Sequence, residues 1–172
     1  PVSYEDTVIA SSQLAAQNEW YDANPGGINT PLQISAYAEI ANEISSKNGD
    51  AKVVLVAGPS ASGKTTFSKR LGVQLAVNGM RPYQISLDDY FVDREHTPKD
   101  DFGEFDFEAI EAIDIEYFNK QLCELMDGKE VRLPKFDFHQ GKRTQNGDKL
   151  KLLSGDVLIV EGGSGASIVD DT

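Results

Sequence analysis

Gly58-Pro59-Ser60-Ala61-Ser62-Gly63-Lys64-Thr65 brings small residues, one lysine and one hydroxyl together at a spacing suited to a polyphosphate. Phosphate oxygens need many donors in a small space. Glycines let the backbone curl until successive N–H groups point inward, and the helix that follows presents its positive end. Lys64 can then reach the β and γ phosphates of a nucleoside triphosphate, and the Thr65 hydroxyl can ligate Mg²⁺. Thr66 completes the set at the start of the helix. The motif has the context it requires, a β-branched apolar run before it (52–57, KVVLVA) and an amphipathic segment after it, with Phe67, Leu71 and Leu75 at four-residue spacing.

Two further groups stand where apolar runs end. Asp88-Asp89 follows 84–87, and Glu161 follows 157–160. In open α/β sheets ligands sit at the carboxyl ends of strands. A carboxylate there can take a proton from an attacking hydroxyl, and another can hold Mg²⁺. The alternative for Asp88 and Asp89 is a turn start. Kinases, GTPases, ATPases and sulfotransferases all use such a loop, so it does not name a reaction. A GTPase lacks support: no Asp-x-x-Gly follows an apolar strand, and Asn119-Lys120-Gln121-Leu122 lies within a helical pattern without the acid that guanine recognition needs.

Ile85-Ser86-Leu87-Asp88-Asp89-Tyr90-Phe91, together with the glycine loop, Phe105-Asp106-Phe107, Pro134-Lys135-Phe136-Asp137-Phe138 and Val157-Leu158-Ile159-Val160-Glu161-Gly162, resembles the uridine kinase and phosphoribulokinase family over about residues 50–162. The resemblance implies ATP as phosphoryl donor and a sugar hydroxyl as acceptor, in uridine kinases the 5′-hydroxyl of uridine or cytidine. It implies Asp88 as catalytic base with Lys64, and Thr65, Glu161 and Asp88 as the magnesium cluster. It puts Asp106, Phe136, Arg143 and Tyr90 on the acceptor: Asp106 against ribose hydroxyls, Phe136 against the pyrimidine, Arg143 as a basic residue after the hairpin. Asp106 can equally cap the turn that follows it. Phe136 can be hairpin core, and Arg143 a solvated turn residue. His139 has no identifiable acidic partner, and His96 reads as solvated.

The elements that must position these groups are legible from periodicity. The expected fold is α/β, a three-layer P-loop NTPase with a mostly parallel sheet and a β-hairpin on the acceptor side. Residues 1–29 form a leader in which 7–18 suits a helix. Residues 30–162 form the kinase domain, entered through a helix at about 31–47 that Thr30-Pro31-Leu32-Gln33 starts with a capping box. A strand at 82–87 closes a βαβ unit. Residues 93–105 read as a mobile polar loop, and a helix from Asp114 turns Tyr117, Phe118, Leu122, Leu125 and Met126 inward. Residues 131–138 and 149–153 read as one hairpin around a turn at 140–148.

Family members continue after the third strand with an arginine-bearing lid. Here Gly163-Ser164-Gly165 gives 163–172 a linker composition, so the domain reads as truncated. The absent strands are expected to leave an open sheet edge that invites pairing with another copy. A non-catalytic ATP-binding module and a phosphoribulokinase-like acceptor remain the alternatives.

The 172 residues suffice for one domain, and 40% hydrophobic with 26% charged residues is globular composition. A net charge of −12 disfavours nucleic acid or an anionic membrane as partner. No apolar run approaches the roughly 20 residues that span a bilayer, and the amino terminus lacks a signal-peptide layout, which implies a cytoplasmic protein. Cys123 falls within the apolar helical pattern and reads as a buried packing thiol.

Overall fold

The structure, a computed structural model, describes residues 7–9, 31–47, 53–58 and 62–162. β1 is Thr7–Ile9, α1 Pro31–Ser46, β2 Val53–Ala57, α2 Lys64–Val77, β3 Arg81–Ser86 and α3 Ile115–Met126. Four short strands follow: β4 Val131–Arg132, β5 Lys135–Asp137, β6 Lys142–Thr144 and β7 Lys149–Leu150. The last strand is β8, Asp156–Gly162.

The central sheet is wholly parallel, in the order β1-β2-β8-β3. Parallel strands are covered on both faces, which is why β2 and β8 read as unbroken apolar runs. All five residues of β2 are buried. Alternate side chains divide into two cores, as a strand's period of two requires. Val54, Val56, Val157 and Ile159 pack with Tyr37, Ile40 and Ile44 of α1 and with Phe67, Leu71 and Leu75 of α2. Val53, Leu55, Leu158 and Val160 pack with Phe118 and Leu125 of α3 and with Phe136. This is the expected three-layer α/β arrangement. β3 is an edge strand carrying Pro82, whose missing N–H an edge tolerates.

Five expectations change. Residues 7–9 form a strand rather than the start of a helix, because the β-branched Thr-Val-Ile segment runs parallel to β2 with Thr7 opposite Val53; residues 10–18 lie outside the described region. The edge of β2 is therefore paired at Val53, Val54 and Leu55. Within 93–105, Arg94–His96 forms a 3₁₀ turn, Lys99 bridges Phe105, and Asp100 Oδ1 accepts the N–H groups of Phe102 and Glu104, so local side-chain hydrogen bonds order a polar stretch. The single hairpin is two nested antiparallel pairs, β4 with β7 and β5 with β6, since Lys142-Arg143-Thr144 returns along Lys135-Phe136-Asp137 within the expected turn. Cys123 is exposed: it stands two residues from both Gln121 and Leu125, about 200° around α3 from the face they bury.

α1 starts at Pro31 as expected, while Thr30 and the tail at 163–172 fall outside the described residues. Asp114 caps α3 by accepting the N–H of Tyr117 at 3.0 Å. Among the described residues no helix is long and apolar enough to cross a membrane.

Candidate active site

The predicted groups converge at the carboxyl ends of β2, β8 and β3. Gly58 leaves β2; Pro59, Ser60 and Ala61 lie outside the described residues; Ser62 and Gly63 lead into α2. Gly63 caps α2 at φ +84°, a left-handed conformation that a side chain would strain. Among the described residues no side chain caps this helix, and no acid occupies its first turn, so its positive end keeps its capacity for an anion. Lys64, Thr65 and Thr66 form that first turn, and Lys64 Nζ donates to Gly58 O at 2.8 Å, closing the loop.

Glu161 lies between the other two strands, with Val56 of β2 on one side and Ser86 of β3 on the other. Thr65 Oγ1 donates to Glu161 Oε1 at 3.1 Å. Glu161 Oε2 and Ser62 Oγ are both buried without a hydrogen-bond partner among the described residues. Orphaned buried polar atoms are rare and costly, and two of them at one phosphate loop mark a place built for a ligand. Burial pushes the Glu161 carboxyl above its ordinary value; the Thr65 hydroxyl opposes this, Asp88 adds to it, and Lys64 and Lys69 oppose it.

Asp88 rides on a 3₁₀ turn, Leu87–Tyr90, whose first and last residues are buried anchors. Gly162 lets β8 run beneath this turn: a Cβ there would lie 2.6 Å from Leu87 Cδ1. Asp88 is an exposed residue. Its carboxyl is nonetheless raised, first by the protein crowding it, against the opposition of Lys64, and further by Asp89 and Glu108.

The acceptor-side expectations divide. Asp106 Oδ1 accepts the N–H groups of Glu108 at 2.9 Å and Ala109 at 3.1 Å, so this oxygen is a cap. The Phe136 ring is buried, edge-on to Phe91 and Phe138, and belongs to the hairpin core. Phe138, 54% exposed, is the aromatic of this hairpin that opens outward. Arg143 is not a solvated turn residue. Its guanidinium pairs with Asp114 at 2.7 Å, lies 4.7 Å from the Tyr117 ring centroid and donates to Tyr90 O at 3.4 Å. Tyr90, expected on the acceptor, is 1% exposed, and its hydroxyl donates to Gln121 Oε1 at 2.8 Å. Burial holds its phenol proton far above the usual range. His139 and His96 are exposed.

A cleft of about 220 Å³ lies between Ser86 and Asp89 on one side and Pro134 and Lys135 on the other, and it reaches Glu161. Tyr90 is among the residues that line this cleft. Sequence reasoning missed Glu108, Gln121 and the contacts of Asp89 with Lys135 and the Phe136 amide. Only Asp89 had a signal, its place beside Asp88.

Residues 53–168 match the Phosphoribulokinase / Uridine kinase family. Uridine-cytidine kinase A of Dictyostelium discoideum is 27% identical over 94% of this chain and 28% of its own length. The uridine kinase of Lactococcus lactis subsp. cremoris is 32% identical over 64% of this chain and 52% of its own. The chain thus spans between about a quarter and about a half of these curated relatives. A solved structure described as a possible uridine kinase from Bacillus stearothermophilus superposes with a TM-score of 0.60 at 22% identity, over 76% of this chain and 72% of that one, a likeness of fold. The match over the strands, phosphate loop and carboxylates just described places this chain in the Phosphoribulokinase / Uridine kinase family.

Proposed function

We propose that the chain transfers the γ-phosphoryl group of ATP to the 5′-hydroxyl of a nucleoside, with uridine or cytidine favoured. The observation that carries this reading is the Thr65–Glu161 contact beside the orphaned Glu161 Oε2, at the mouth of a phosphate loop and next to the raised carboxyl of Asp88. The nucleoside acceptor is inferred from the names of the relatives.

Lys64 and the N-terminal amides of α2 bind the phosphates and hold them in line. Asp88 accepts the proton of the acceptor hydroxyl as the oxygen bonds to the γ-phosphorus. The bond from that phosphorus to the β–γ bridging oxygen breaks, and ADP leaves with the electron pair. Thr65, Glu161 and Asp88 fit Mg²⁺, which when bound neutralises charge on the β and γ oxygens.

The test is ADP release with Mg²⁺-ATP across uridine, cytidine, ribulose 5-phosphate and D-glycerate. Release dependent on uridine or cytidine supports the reading. ATP binding without release on any acceptor would identify a non-catalytic nucleotide-binding module instead.

A further inference from the structure

β5 and β6 are three residues each, too short to hold a hairpin unaided. Phe136 and Arg143 stand directly opposite each other in this pair. Both donate their backbone N–H groups out of the hairpin to a carboxylate: Phe136 to Asp89 Oδ1 at 3.3 Å, and Arg143 to Asp93 Oδ1 at 3.0 Å. Directly opposed residues whose amides face outward point to opposite edges of the pair. The two acceptors belong to one stretch that continues from Asp88. Between them Phe91 crosses the hairpin and meets Phe136 edge-on, with ring centroids 5.6 Å apart.

Further contacts extend the seam. Lys135 Nζ lies 2.6 Å from Asp89 Oδ2. Arg94 N–H donates to Gly141 O at 2.8 Å, and the Arg94 guanidinium donates to Phe138 O. The Asp89–Lys135 pair is more than half exposed on the lysine side, so it adds little; the two amide bonds carry the arrangement.

We propose that Asp89 and Asp93 are positioning residues, a bracket of two carboxylates that caps both edges of the β5–β6 hairpin and fixes it to the turn bearing Asp88. The adjacent acids Asp88 and Asp89 then have separate tasks. Asp88 is the base of the kinase reading, while Asp89, which lines the cleft, sets where its hairpin wall stands relative to Asp88. The catalytic consequence rests on the kinase reading above; the bracket itself does not.

The bracket needs an acceptor oxygen, not a charge, so alanine and asparagine must behave differently. Asp89→Ala and Asp93→Ala should speed hydrogen exchange at the Phe136 and Arg143 amides about ten-fold. They should raise KM for uridine by a similar factor while KM for ATP stays within about two-fold. Asp89→Asn and Asp93→Asn should restore both quantities. Asparagine variants as damaged as alanine variants, or alanine variants with unchanged exchange, would overturn the bracket. If the alanine variants do not fold, the asparagine variants decide, native exchange supporting the bracket and fast exchange refuting it. If the unaltered chain phosphorylates no acceptor, the kinase reading falls while the exchange comparison still judges the bracket.

Discussion

Thr65 Oγ1 donates to Glu161 Oε1 at 3.1 Å across 96 residues of sequence, tying the first turn of α2 to the end of β8. The contact spends one carboxylate oxygen and leaves Oε2 buried and unpartnered among the described residues. Glu161→Gln and Thr65→Ala are each expected to lower kcat about 10²-fold or more at fixed Mg²⁺. Because the two share one site, the double variant should lose much less than the sum of the two effects. Full additivity in that cycle would show that they act apart.

Asp88 gives a pH prediction with a definite sign. Its carboxyl titrates above the ordinary 3.8, and Lys64 holds it down while Glu108 pushes it up. In the nucleotide-free chain, Lys64→Ala should raise the Asp88 pKa further and Glu108→Gln should lower it, as followed by carboxyl NMR. The opposite order would refute the assigned causes. The base must be ionised, so activity should climb with pH through that raised value.

The same shift bears on stability. A raised carboxyl binds protons in the folded chain that the unfolded chain has released, so stability falls as pH rises from the ordinary carboxylate range through the raised value. Asp88→Asn removes that penalty. At neutral pH it should raise Tm while lowering kcat about 10²–10⁴-fold. A lower Tm with unchanged kcat would contradict both halves.

Gly162 tests how the turn is held. A Cβ there would meet Leu87 Cδ1 at 2.6 Å and Leu87 Cβ at 2.7 Å, so Gly162→Ala must displace the turn bearing Asp88. Denaturant unfolding should show a loss of about 1–3 kcal/mol. Turnover should fall more than ATP affinity does, because the phosphate loop lies on the other strand. An unchanged kcat would mean the close approach is irrelevant to the base.

The contacts of Arg143 with Asp114 and Tyr117 give a stability prediction. Arg143→Ala leaves Asp114 without its cation and strips one face of Tyr117, an expected loss of about 1–3 kcal/mol in unfolding. Arg143→Lys should not recover it, since an ammonium lacks the planar fork. Native stability with only a weakened acceptor would return Arg143 to the substrate.

The parts of this molecule legible in its sequence are those governed by local rules. The runs at β2 and β8 announce strands covered on both faces, and Phe67, Leu71 and Leu75 at four-residue spacing announce the helix α2. Glu161 and Asp88 could be singled out because strand ends are where sheets of this type present ligands. Asp106, Phe136, Arg143 and Tyr90 were less legible, because whether an arginine meets a substrate or an aspartate depends on which distant segment folds over it. Arg143 meets Asp114 only after β6 returns along β5, and the expected single hairpin had no such return. Thr7–Ile9 could not be read as a strand, since among the described residues it pairs with β2 alone, more than 40 residues away.

The central claim is tested most directly by following nucleoside monophosphate formation from uridine and Mg²⁺-ATP, with this chain, Lys64→Ala and Asp88→Asn side by side. The account predicts uridine 5′-monophosphate in step with ADP for the unaltered chain, and loss of both with either variant. ADP formed without uridine 5′-monophosphate, or product formation untouched by Asp88→Asn, would contradict it.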